Sequence, residues 1–331
     1  NPLFANGSEF SMRQHRGKRR DHWAMRNKYT AITGLDVQQN SIALVSLVHE
    51  CASVRLVGAA YQALPPGVVE QGEWRDREVM QDVLRQGYAA LGERGRAVVL
   101  SISNEAVITM ELAPLSFPFA HQSCAEIRDL VTRLSPWPLA DTAAAWSSRA
   151  EGRALLAICR ADVIQASRRC LRTIGLQLQH VEPECQSHWR LLCQLWRGPV
   201  INRSTVVLVI VQTDLLCISI FHHGGLRFSH SVVPNDMAST QPTASYVVEE
   251  LQKTFDQIGT NGVTTRLIAV MGGLAEASLC DVLQNTFAAP VTLLSPLTGL
   301  LEMTKASSLS LADIEPRLGV ALGSALWGYN G

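Results

Sequence analysis

The chain of 331 residues has no net charge at neutral pH, with 29 Lys and Arg against 29 Asp and Glu. That balance removes any whole-molecule electrostatic argument for nucleic acid or anionic lipid as a partner. Long apolar runs are missing too. The longest, residues 206–211, is cut by Gln212, Thr213 and Asp214, far short of the roughly 18–20 residues needed to span a bilayer. No apolar signal core follows the basic start, where Asp21, His22, Trp23 and Ala24 lead into more charge, so the chain is expected in the cytoplasm. Eight cysteines are present, yet no Cys-x-x-Cys pair occurs, which leaves out a zinc ribbon and a thioredoxin-type site. Cys159, Cys193 and Cys217 sit in ALLAIC, RLLCQL and LLCISI, settings where a free thiol packs as a small hydrophobe. Cys185 and His188 have a Cys-x-x-His spacing and His222 adjoins His223, but neither has a second matching pair, and no metal site is expected.

Catalytic signatures are absent as well. No Gly-x-Ser-x-Gly, Gly-x-Gly-x-x-Gly or Walker A string occurs, so the elbow and phosphate-loop chemistries lose their usual carriers. Glu249 and Glu250 are adjacent and point about 100° apart on a helix, which makes a solvated face rather than an acid–base pair. His180 and Glu182, next to Pro183, read as a strand end that could border a cleft. What is present is an ordinary globular composition, 47% apolar and 18% charged, long enough for one large or two medium domains.

Residues 1–11 (NPLFANGSEFS) read as an expression scar and the stretch to residue 28 as a basic leader. The whole of 1–28 is expected to be disordered, with Met25 a candidate start. Beyond it the chain shows an approximate duplication. Residues 30–37, 41–48 and 54–61 read as a three-strand meander, and the design returns at 205–211, 215–221 and 226–233. Val37-Gln38 and Val211-Gln212 fall at corresponding points, so two related α/β halves are expected. Helices are expected at 76–92, 120–134, 162–174, 245–259, 275–287 and 315–327. Asp162 reads as an N-cap and Gly175 as a C-cap. The last helix carries small residues on several faces and is expected to be buried.

Six stretches, in order, resemble the PilM/HofM family of type IV pilus and DNA-uptake assembly proteins. They are GLDVQQNSIALVSL, YQALPPGVVEQG, VVLSISNEAVITMELAP, ALLAICRADVIQASRRCLRTIGLQLQHVEPE, AVMGGLAEASLCDVLQNTFAAPVTLLSP and LGVALGSALW. FtsA and the cytoplasmic part of GspL are related alternatives. The resemblance implies a duplicated, ribonuclease H-like actin fold with an inserted lobe. On that basis we expect a first half at 29–113, the lobe at 114–183 and a return helix at 184–203. A second half at 204–314 and a C-terminal helix at 315–331 that returns to the first half would follow.

In that family two glycine-bearing turns hold nucleotide phosphates, because glycine lets backbone N–H groups approach an anion closely. Its first turn resembles Gly-Ile-Asp-Ile-Gly-x-x-Ser. Here the corresponding stretch keeps Asp36 and Ser41 but has Gln38 for the glycine and Ala43 for a following lysine. At the second turn Ile210 replaces an aspartate and Gln212 a glycine, with Asp214 four residues on. Gly272 and Gly273 keep an adenosine-side signature, which a tight strand-to-helix turn explains equally well. The resemblance therefore implies a vestigial nucleotide cleft at Asp36, Ser41, Gly272 and Gly273, no required cofactor, and a pseudo-ATPase rather than an enzyme. It also implies docking of the N-terminal peptide of a PilN/HofN-type inner-membrane protein, between the first half and the lobe, drawing on residues 105–114 and the lobe through Glu184. Phe117, Phe119, Trp137 and Trp146 are candidate anchors that could equally be core. An assembly ATPase is a further candidate partner, and specific nucleic-acid binding is not expected. The competing expectations are a working ATPase binding ATP and Mg, and a sugar or acetate kinase of the same fold.

Overall fold

The computed structural model describes residues 31–49, 53–92, 95–112, 124–148, 154–196, 204–213, 215–233, 242–258, 265–298 and 313–329. The leader, Phe117, Phe119 and Asp214 lie outside the described residues.

Sheet formation follows the apolar runs. In the first half β1 (Ala31–Val37), β2 (Ser41–His49) and β3 (Val54–Ala63) form the expected meander. A short hairpin of β4 (Val69–Glu70) and β5 (Glu73–Trp74) leads to α1 (Arg77–Ala90) and then to β6 (Ala97–Ile102). Asp76 caps α1, its carboxylate accepting from the Glu78 and Val79 N–H groups at 3.1 Å, which satisfies two donors the first turn leaves unpaired. A separate sheet follows, built from β7 (Val107–Leu112), β8 (Thr142–Ser148) and β9 (Ala154–Arg160) in the order β7-β9-β8, with α2 (Cys124–Leu134) against it.

The chain then makes α3 (Ala161–Thr173) and β10 (Gln177–Pro183). Although β10 lies in the stretch read as the inserted lobe, it pairs in parallel with β6 and forms the edge of the first sheet, β10-β6-β1-β2-β3. Asp162 is not the cap of α3. Arg160 holds that position and Asp162 sits in the first turn, accepting from the Arg160 guanidinium, where an acidic side chain favours the helix dipole. Gly175 follows the cap Ile174 with φ +82°.

The helix α4 (Glu184–Leu195) leads to the second sheet. There β11 (Thr205–Val211), β12 (Leu216–His222) and β13 (Gly225–Val232) repeat the meander. The helix α5 (Ala244–Ile258), the strand β14 (Thr265–Met271), the helix α6 (Ala277–Phe287) and the strand β15 (Val291–Leu293) complete the order β13-β12-β11-β14-β15. The last helix is shorter than expected: a single 3-10 turn, Glu315–Arg317, precedes α7 (Gly319–Ala325). Every residue of α7 is buried.

The layers follow from which face of each strand is apolar. One core lies between the two sheets and is filled by α4 and α7 with Val45, Leu208, Met271 and Leu322. A second covers the outer face of the first sheet under α1 and α3, a third the outer face of the second sheet under α5 and α6. The helix α7 sits so close to β1 that a Cβ on Gly34 would lie 1.9 Å from the Ala321 carbonyl oxygen. On its other side Gly323 meets the Ser187 carbonyl of α4 in the same way, at 2.1 Å.

Candidate functional site

The two hairpins at the heart of the molecule are the same structure. Asp36 stands opposite Ala43 in the β1–β2 ladder, and Ile210 stands opposite Cys217 in the β11–β12 ladder. Gln38 N–H donates to the Ser41 carbonyl at 2.9 Å, and Gln212 N–H donates to the Leu215 carbonyl at 2.8 Å. In each half the turn residue is glutamine; the Gln38 side chain folds back onto its own turn, whereas that of Gln212 reaches across to Gly273.

At the first turn Asp36 is buried, and Gln38 Nε2 donates to its Oδ1 at 2.8 Å. Ser41 is half-buried and contributes the carbonyl that closes the turn. Across the parallel strands Asp36 is level with Ser101, and Ser101 with Glu182. These polar residues stand at the carboxyl ends of three neighbouring strands, where open α/β sheets place their ligands. The Asp36 carboxylate is already engaged by the chain's own amide.

At the second turn Ile210 is buried in the core between the sheets. An isoleucine there offers no ligand to a metal-bound water. Gly272 has φ +117°, and a Cβ on it would lie 2.2 Å from the Val211 carbonyl oxygen. The turn from β14 into α6 therefore requires a glycine on structural grounds alone. Gly273 is exposed on its flank, but its N–H donates to Gln212 Oε1 at 2.9 Å, and the Arg317 guanidinium lies over it. Arg317 also stacks on Tyr61 of β3, 4.9 Å from the ring centroid. The structure thus places Asp36 with Ser41 at one turn and Gly272 with Gly273 at the other; Gln38 engages Asp36, and Gln212 with Arg317 lies over Gly273.

Two titratable groups near these turns, Glu184 and His188, entered the sequence reading only as a groove boundary and as half of a Cys-x-x-His spacing, and their burial was not foreseen. Glu184 opens α4 and is fully buried; burial pushes its carboxyl above the usual range, against hydrogen bonds from Asn104, Ser231 and Gln38. One turn on, His188 Nδ1 lies 3.0 Å from Ser219 Oγ, and burial drives the imidazole down to about 3. The consequence for stability has a definite sign. Below its ordinary value of 6.5 the unfolded histidine takes up a proton that the folded one refuses, so stability falls as pH falls toward 3. Between pH 7 and pH 5 this one site is expected to remove about 2 kcal/mol. His49, also lowered by burial, acts in the same direction, whereas Glu184 acts oppositely, folding being favoured as pH falls through its raised value toward 4.5. Urea midpoints at pH 7, 6 and 5 check this: the His188→Gln variant should lose less stability on acidification than the parent.

A second concavity lies on the far edge of the lobe. Its walls are β8, which ends the lobe sheet, and β10, which ends the first sheet. Among the described residues neither pairs with a further strand on its outer side. Ala143 and Ala145 share one face of β8, opposite Cys159 and Ala157 of β9, and these small side chains leave the space open. The other wall carries His180 stacked on Trp327, ring centroids 4.9 Å apart. Glu182 closes one end, ion-paired with Arg190 and accepting from Ser187 Oγ at 2.8 Å. The free space is about 110 Å³, below the roughly 300–1,000 Å³ of pockets that enclose a small molecule, and suits one or two side-chain anchors. His180 and Glu182 do end a strand and also line this groove. Trp146 is buried with Val131, Leu156 and Ile158 and also lines this groove; Trp137 packs on the same cluster and does not line it.

No family model matches the chain. Among solved structures it is similar to one described as a PilM-PilN type IV pilus biogenesis complex, with a TM-score of 0.75 and 15% identity over 91% of this chain and 99% of that one. It is also similar to a Bacteroides thetaiotaomicron protein described as having an actin-like ATPase fold and unknown function. There the TM-score is 0.50 and the identity 9%, over 82% of this chain and 93% of that one. At these identities the likeness is one of fold, and the fold of this chain is the actin-like ATPase fold.

Proposed function

We propose that this protein is a cytoplasmic adaptor of a type IV pilus or DNA-uptake assembly machine. It binds the N-terminal cytoplasmic peptide of a PilN/HofN-type inner-membrane protein and is recruited to the membrane by that contact. The observation that carries the reading is the groove between β8 and β10. Two strand edges that pair with no further strand among the described residues face an apolar slot with a polar end, which is what an extended peptide uses: backbone hydrogen bonds for affinity and alternate side chains in pockets for specificity. The likeness of fold to a PilM-PilN complex supports the same partner class. Among the described residues no helix is long and apolar enough to cross a membrane, which fits a peripheral role.

In this reading the nucleotide cleft is vestigial and the protein a pseudo-ATPase. Gln38 engages Asp36, Ile210 stands where the duplication calls for a second aspartate, and Gln212 with Arg317 covers Gly273. The test is calorimetric titration of the full chain with the N-terminal cytoplasmic peptide of a PilN-type inner-membrane protein. Saturable one-to-one binding supports the adaptor. Absence of binding by the folded protein would remove the peptide from the account.

A further inference from the structure

The two halves meet across a polar seam inside an otherwise apolar interface. On the second sheet Cys217 and Ser231 are level in the β12–β13 ladder, and Ser219 is level with Ser229 one step along. They form a polar stripe on the face turned toward the first half. From the first half come Asn104, in the turn between β6 and β7, and Glu184 and His188 on α4.

The contacts across the seam form a continuous chain. Asn104 Nδ2 donates to Ser229 Oγ at 2.8 Å and to Ser231 Oγ at 3.2 Å. Ser231 Oγ donates to Glu184 Oε1 at 3.1 Å, and the Asn104 N–H donates to the same oxygen at 3.2 Å. Ser229 Oγ lies 2.8 Å from Ser219 Oγ, which in turn meets His188. A buried carboxyl group is costly unless its hydrogen-bond partners stay in place, and two of those partners, Ser231 and Cys217, belong to the opposite half. Separation of the halves would strip Glu184 of both and leave the serine stripe exposed to an apolar rim.

We propose that Glu184, Asn104, Ser229 and Ser231 form a built-in clamp that holds the two halves together with no ligand between them. In a two-lobed fold that closes on a nucleotide, the bound molecule supplies the bridge; here side chains supply it. The inference rests on the geometry of the seam and is independent of the peptide partner.

Amide hydrogen exchange on the ligand-free full chain tests it. The parent protein should protect the amides of β12, β13 and the Asn104 turn as strongly as those of α1, which is remote from the seam. The N104A/S231A variant should exchange about tenfold faster or more at the seam, with α1 unchanged. If the double variant does not fold, S231A alone is read by the same comparison. Two results would overturn the clamp: a folded variant whose seam amides keep the parental rates, or a parent whose seam amides exchange freely until a ligand is added.

Discussion

Gly34→Val is expected to abolish cooperative folding. Gly34 lies inside β1, at the centre of the first sheet, and its missing side chain is the space through which α7 crosses. A Cβ there would stand 1.9 Å from the Ala321 carbonyl oxygen and 2.5 Å from the Ala325 amide nitrogen. Both are backbone atoms of a buried helix, so no rotamer change relieves the overlap. The helix would have to move away from the sheet, opening the core that Leu322 and Ala325 share with both halves. Overpacking ordinarily costs about 1–3 kcal/mol when side chains can adjust. With backbone on both sides the cost should exceed about 4 kcal/mol, much of the roughly 5–15 kcal/mol that holds a typical domain together. Gly175→Ala is the control. That glycine has φ +82°, but nothing lies within 4 Å of the added carbon, so only strain of about 1 kcal/mol is expected. Thermal melting followed by near-UV circular dichroism separates the two: no cooperative transition for G34V, and a modestly lowered Tm for G175A.

Ala145→Trp should block the groove while leaving the fold intact. Ala145 is exposed on the edge strand β8, so a larger side chain there meets no core. It lines the slot with Ala143 and Ala157, whose small size makes the slot. An indole at this position would fill a space of about 110 Å³. Loss of a central anchor site typically costs about 2 kcal/mol or more in binding, roughly a 30-fold weakening. Thermal stability should stay within about 0.5 kcal/mol of the parent, as for other surface changes. Ala277→Trp, equally exposed at the start of α6, should bind peptide normally in the same titration.

The duplication was legible because each meander is a set of short apolar runs cut by polar turns, and such runs pair with their neighbours. The two matching hairpin turns were legible too, since Val37-Gln38 and Val211-Gln212 fall at corresponding points of the two meanders. Other features left no local trace. The strand β8, read from its sequence TAAAWSS, is rich in alanine, a helix former. It becomes a strand because β9 offers an unpaired edge for Ala143–Ser148 to complete. The 3-10 turn before α7 likewise reflects packing, as Leu318 is buried at the point where the turn meets the helix. The polar seam was invisible for a different reason. Asn104 and Glu184 are 80 residues apart, and Asn104 and Ser229 are 125 apart. No spacing rule links such positions, and only the crossing of the two sheets brings them together. The groove is similar: its signal is the smallness of Ala143 and Ala145, which in a sequence says nothing about what faces them.

On the proposed reading this actin-like fold works through its surfaces and not through a nucleotide. The most direct measurement is a thermal-shift titration of the full chain with Mg-ATP up to millimolar concentration. A ligand at 100 times its Kd stabilises a folded protein by about 2.7 kcal/mol, a readily measured rise in Tm. On the proposed reading no saturable shift is expected: Gln38 engages Asp36, and Gln212 with Arg317 covers Gly273. A clear, saturating rise in Tm with Mg-ATP would contradict it and bring the ATPase reading to the front.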